Sequence, residues 1–88
     1  MKPNLIVIDC MSKGKGTILR SLRRLRKVRG ADDCGCYLQD PQYSKLIVAT
    51  EMTDNEVEDW LYARKFDYVG VCYANTYDTY SYSYLLEY

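Results

Sequence analysis

The chain of 88 residues contains no histidine. The usual neutral-pH general base is therefore missing, and Ser-His and Cys-His nucleophilic catalysis are excluded. Histidine-containing zinc sites and an imidazole pH switch are excluded with it. No apolar run approaches the roughly 18 residues that a membrane helix needs, so no membrane span is predicted. The start, Met1 to Asp9, is too short for a secretory signal. A cytoplasmic location is expected, with Cys10, Cys34, Cys36 and Cys72 as reduced thiols and no bound metal. Net charge is lacking too: 12 Lys/Arg balance 12 Asp/Glu.

That zero hides an asymmetry. Residues 1–30 carry nine Lys/Arg and one Asp, while residues 31–88 carry three Lys/Arg and eleven Asp/Glu. Such a split signals nucleic-acid contact, an acidic partner surface, or two halves that face each other. With 48% apolar residues the composition is that of a globular chain, and the length fits one domain over residues 1–88.

Leu5-Ile6-Val7-Ile8 reads as a buried central strand. Asp9 to Gly16 reads as a loop. Thr17 is a candidate cap for a helix in which Ile18, Leu19, Leu22, Leu25 and Val28 share one face, with Gly30 at its C′ position. Cys36 to Gln39 reads as a second strand ending at Asp40-Pro41, and Lys45 to Met52 as a third, the two joined by a hairpin-like loop. Thr53 and Glu56 form a capping box for a second helix that buries Val57, Trp60 and Leu61. Tyr68 to Tyr73 reads as a fourth strand. Ser/Thr and tyrosine alternate from Thr79 to Tyr84, and this period of two suggests an extra C-terminal strand.

The order predicts an α+β fold: a ferredoxin-like βαββαβ two-layer sandwich with strand order 4-1-3-2 and both helices on one face of an antiparallel sheet. The fold hosts many functions and selects none.

Candidate sites fall into six groups. The first helix exposes Arg20, Arg23, Arg24, Arg26 and Lys27, which suit phosphates or a solvated face neutralised by its neighbour. The second helix offers Asp54, Glu56, Glu58 and Asp59, which suit a basic surface. The central strands carry no aromatic residue, which counts against base stacking on the sheet as RNA-recognition domains of this fold practise it. Ser12 to Thr17 lies where phosphates bind, but its lysines stand on the wrong side of the glycines for GxxxxGK[ST]. The cysteines lack paired knuckles, so small buried hydrophobes describe them better than zinc ligands.

Asp9, at the end of the first strand, resembles in position the aspartate of small metal-dependent nucleases of this fold, including the nuclease subunit of CRISPR spacer-acquisition complexes. That resemblance implies catalysis. The alternative is a cross-strand ion pair with Lys45. Ten tyrosines, six of them within residues 73–88, form the most unusual feature. Tyr77, Tyr80, Tyr82 and Tyr84 suit either an interface or a cover over the sheet face bearing Leu5, Val7, Ile47 and Ala49.

Together these readings predict no enzyme and no cofactor. They predict a small non-catalytic binding protein with a protein partner, a nucleic-acid-processing complex among the candidates, or a second copy in a homodimer. In size and architecture such a chain resembles phage and mobile-element inhibitors of host machinery, anti-CRISPR proteins among them, which implies an inhibitor or regulator in a host cytoplasm. Direct nucleic-acid binding through the basic first helix is the second reading.

Overall fold

The computed structural model describes residues 3–25, 28–37 and 40–87. Strand β1 (Asn4–Met11) leads into helix α1 (Lys15–Arg23), then β2 (Arg29–Tyr37), β3 (Asp40–Thr50), α2 (Asp54–Ala63), β4 (Tyr68–Tyr73), a short α3 (Thr76–Ser81) and a 3-10 turn over Ser83–Leu86. The fold is α+β, with one antiparallel four-stranded sheet in the order β2-β3-β1-β4. Counted from the other edge, that order is 4-1-3-2.

The alternation of side chains along β1 and β3 divides the interior into two cores. On the near face Ile6, Ile8, Leu46 and Val48 pack against Ile18, Leu19 and Leu22 of α1 and Val57 and Leu61 of α2. On the far face Leu5, Val7, Ile47 and Ala49 pack against Leu85, with Tyr82 and Leu86 at the margin. The molecule therefore has a third layer.

That layer corrects the expected C-terminal strand. Thr79 to Tyr84 is helical, and its tyrosines do not share one side of a strand. Asn75 caps α3 by accepting the Asp78 backbone N–H at 2.7 Å, and this local bond wins over the period-two pattern. Leu85 does the covering, while Tyr80 and Tyr84 face solvent.

Helix α1 departs from the sequence reading at both ends. Gly14, with no side-chain cap, precedes it, and Thr17 lies inside it. It stops at Arg23, so Val28 reaches the core from outside the helix. The reason is the sheet: Arg29 pairs with Ala49 and Gly30 with Val48, so β2 begins where the helix was expected to finish. Gly30 is thus a strand residue, not a left-handed cap. A Cβ there would overlap Leu19 Cδ1 and meet Val48 Cγ1 at 3.2 Å, so its missing side chain is what lets α1 dock. Strand β3 is also longer than expected and takes in Asp40-Pro41, with Pro41 tolerated near the start of the strand beside the register shifts of β2.

The second helix follows the reading closely. Thr53 Oγ1 accepts the Glu56 N–H at 3.2 Å and Glu56 Oε1 accepts the Thr53 N–H at 3.0 Å. Its end is a Schellman motif: the Phe66 N–H bonds the Leu61 carbonyl and the Lys65 N–H the Tyr62 carbonyl, with Lys65 left-handed at φ 60°. Trp60 and Phe66 close that end, their ring centroids 5.6 Å apart.

Candidate functional site

The polar residues concentrate where β1, β3, β4 and α3 meet on the far face. Asp9 stands opposite Lys45 on β3 and opposite Gly70 on β4. The neighbour relation expected for Asp9 and Lys45 is present, but the ion pair goes elsewhere. Lys45 Nζ lies 3.1 Å from Asp78 Oδ1, and Asp78 is only 2% exposed. A carboxylate taken this far from water needs such a partner. The pair pins α3 to the sheet.

Asp9 is left with a buried Oδ1 that has no hydrogen-bond partner. Burial pushes its carboxyl above the ordinary range, Lys45 pulls it back, and Asp78 pushes it up again. A cavity of about 200 Å³ opens here, lined by Asp9, Lys45, Cys72, Tyr73 and Asp78. The Cys72 thiol in it is held toward its protonated form. Desolvation raises its thiol first, and the carboxylates of Asp9, Asp78 and Asp54 raise it further. Cys10 lies in the near-face core, on the other side of the sheet from Cys72, so the two cannot ligate one ion. Cys34 and Cys36 lie outside the residues whose side chains are described.

The expected basic and acidic faces are separate. Arg20, Arg23 and Arg24 are exposed on α1, and Arg23 donates to the Gly30 carbonyl at 2.6 Å. Among the described residues, no ion pair joins these arginines to the acids of α2. Arg26 and Lys27 lie outside the described residues. On α2, Asp59 is exposed and Asp54 and Glu58 are half-buried, while Glu56 remains exposed although its carboxylate serves the capping box. Glu58 also hydrogen-bonds Tyr68 of β4. Partial burial first, then that bond and the charges of Glu58 and Asp59, raise the Tyr68 phenol.

Two sequence candidates change meaning. The Ser12 N–H bonds the Gln42 carbonyl at 2.8 Å and its hydroxyl donates to the Pro41 carbonyl at 2.9 Å. These donors tie β1 to β3 and are not free to cradle a phosphate. The sheet face on which bases would stack is covered, since Leu5, Val7, Ile47 and Ala49 are all buried beneath the third layer.

The tyrosines divide by role. Tyr82 is half-buried against the far-face core, its ring 6.1 Å from that of Tyr84. Tyr77, Tyr80 and Tyr84 are 75%, 82% and 53% exposed, and Tyr73 and Tyr62 join them at the surface. The sequence reading missed Asp78, Gly70 and the open side of β4. The three-residue spacing of Asn75 and Asp78 was the available signal for α3, because it is the spacing of a side-chain cap. No protein-family model, curated protein or solved structure matches this chain.

Proposed function

We propose that this chain is a non-catalytic binding protein that acts by occupying a surface of another protein. One observation carries the reading: Leu85 and Tyr82 cover the far face, while the large rings of Tyr77, Tyr80 and Tyr84 stay mostly exposed outside that cover. Exposed tyrosine of this density supplies stiff, amphipathic contact area. The chemistry of the far-face cavity supports the same reading, since its thiol is pushed toward the unreactive form and its one lysine is paired with Asp78.

The acids of α2 favour a basic target, and the basic grooves of nucleic-acid-processing proteins are such surfaces. In that role the chain is an inhibitor or regulator, of the kind phages and mobile elements direct at host machinery in the cytoplasm, anti-CRISPR proteins among them by analogy of size and architecture. We also read the sheet order, with both longer helices on the near face, as a ferredoxin-like sandwich extended by a third layer.

The test is affinity purification with mass spectrometry from the native cell, using the wild type and a variant with Tyr77, Tyr80 and Tyr84 all changed to Ser. A protein held by the wild type and lost from the variant is expected, with melting unchanged because the three rings are exposed. Retention of the same protein by the variant overturns the reading.

A second reading rests on the exposed Arg20, Arg23 and Arg24, which have no acidic partner on α2 among the described residues. It is direct nucleic-acid binding. Submicromolar, salt-steep affinity for DNA or RNA, lost when Arg23 and Arg24 are reversed in charge, would place it first.

A further inference from the structure

We propose that the outer edge of β4 takes up an extended segment of a partner protein as a fifth strand, and that a lysine or arginine of that segment, opposite Gly70, reaches Asp9. The inference rests on the reading of this chain as a protein-binding module and names the partner's chemistry.

Four observations meet at this edge. First, β4 ends the sheet, and among the described residues no strand pairs with its outer side. Its sequence, Tyr-Val-Gly-Val-Cys-Tyr, has no charge and no proline, the usual guards of an open edge. Second, Gly70 is the register partner of Asp9, and nothing lies within 4 Å of where a Cβ at Gly70 would stand. Open space therefore lies over the glycine, on the strand beside Asp9. Third, Asp9 Oδ1 is a buried acceptor with no partner. Fourth, the edge lies among carboxylates: Glu58 and Asp59 act on Tyr68, and Asp9, Asp78 and Asp54 act on Cys72. Lys45 opposes them there, but it is held by Asp78.

The geometry follows from strand spacing. A residue of an added strand opposite Gly70 stands on the same face as Asp9, two strand spacings away, or roughly 9–10 Å. Asp9 covers part of that gap. Lysine and arginine, the longest side chains, cover the rest by laying the stem along the glycine backbone and presenting the charge at the far end. Backbone bonds to β4 give affinity, and the open space at Gly70 gives specificity. The regular part of the edge is short. Between Asp9/Gly70 and Cys10/Tyr68 the register shifts by one residue, which leaves Val69 as the extra residue of a bulge and Gly70–Tyr73 as the evenly paired stretch. A second copy of this chain fits less well, because β4 carries no cation to offer Asp9 and a two-fold pairing brings Glu58 and Asp59 of both copies to one seam.

The test uses the full chain labelled with nitrogen-15 and three capped seven-residue peptides of alternating threonine and valine. Their central residue is lysine, norleucine or glutamate. Chemical-shift changes confined to 68–73, Asp9 and their neighbours are expected with the lysine peptide, with at least tenfold tighter binding than the norleucine peptide and none by the glutamate peptide. Asp9→Asn should erase the preference for lysine over norleucine. Gly70→Val, which fills that open space and suits a strand, should do the same, with the fold checked by circular dichroism. Equal binding of the lysine and norleucine peptides, shifts elsewhere, no binding up to millimolar, or self-association through β4 would each overturn the proposal. If the peptides fail while the tyrosine variant still loses its captured protein, the binding-module reading stands and this inference alone falls.

Discussion

The two edges of the sheet are built on opposite plans. The β2 edge begins at Arg29 and has two register shifts against β3, between Asp33 and Cys36 and between Cys36 and Tyr37. Arg29 also donates to the Glu87 carbonyl, so the end of the third layer is tied to that edge. Charge, bulges and a cover are the ordinary means of keeping a strand from pairing with strangers. The β4 edge has one bulge, at Val69, and no charge of its own. Two of its hydrophobic residues stay exposed, Val69 at 57% and Tyr73 at 49%. One edge is defended and the other is left open, within one sheet whose strands have the same needs. That difference is what the proposed fifth strand at the open edge rests on.

The cover is where this contrast can be broken most severely. Leu85 is the buried anchor of the far-face core, and the 3-10 turn that carries it touches β1, β2 and β3. Leu85→Ala should lower the unfolding free energy by about 2–4 kcal/mol, read from urea melts. Amide exchange should accelerate more in β2 than in β4. Equal acceleration at both edges would show that the cover does not distinguish them.

A smaller loss is expected where the cover meets β4. Asp78→Asn removes the charge that holds Lys45, whose side chain is 28% exposed and so partly served by water. The expected cost is about 1–2 kcal/mol, below the range for a fully buried pair. The same change should lower the Asp9 carboxyl, because it removes one repelling charge. Carbon-13 titration of Asp9 reads this directly, and an unmoved Asp9 would contradict the coupling. In the wild type the folded Asp9 holds its proton more tightly than the unfolded chain, whose carboxyl titrates near 3.8. Its contribution therefore favours folding below that value and is lost as pH rises through the raised folded value. Asp9→Asn should be more stable than the wild type at neutral pH, with the advantage shrinking as pH falls through that window.

The smallest effect sharpens the contrast from the other side. Lys65, left-handed at φ 60°, directs the chain from α2 toward β4. Lys65→Gly relieves that conformation and should stabilise the fold by about 0.5–1 kcal/mol in a melt, leaving exchange in β2 unchanged. A loss of stability would mean that the lysine side chain contributes more than its backbone strain removes.

Much of this arrangement was legible in the sequence. The β-branched run of β1 and the Thr53 and Glu56 box of α2 are local signals that tertiary structure had no reason to override. The alternation that exposes Leu5, Val7 and Ile47 on a second face also held, and with it the need for a cover. What failed were patterns that two structures satisfy equally. Val28 stands at helical spacing from Leu25 and Leu22, yet Arg29 and Gly30 are needed opposite Ala49 and Val48. The Ser/Thr and tyrosine alternation reads as a strand, yet Asn75 caps a helix and Asp78 needs Lys45, a partner 33 residues away. That distance is why the far-face cluster was half visible: Asp9 and Lys45 follow from strand register, whereas Asp78 follows from nothing local. The open β4 edge was invisible for a similar reason, since edge position belongs to the whole topology.

The fastening of the third layer has a further consequence for how the molecule breathes. Among the described residues its ties to the sheet include the packing of Leu85 and its neighbours, the Lys45 and Asp78 pair, and the Arg29 bond to Glu87. The central strands, by contrast, are held by ladders on both sides and by the near-face core. A segment fastened this way forms its own cooperative unit and opens at a lower free energy than the strands beneath it. Each such opening bares Leu5, Val7 and Ile47 and releases Lys45 from Asp78 while the rest of the domain stays folded. Hydrogen exchange that reports such an opening would reveal a second, transient species with a fresh apolar face and a rearranged charge beside β4.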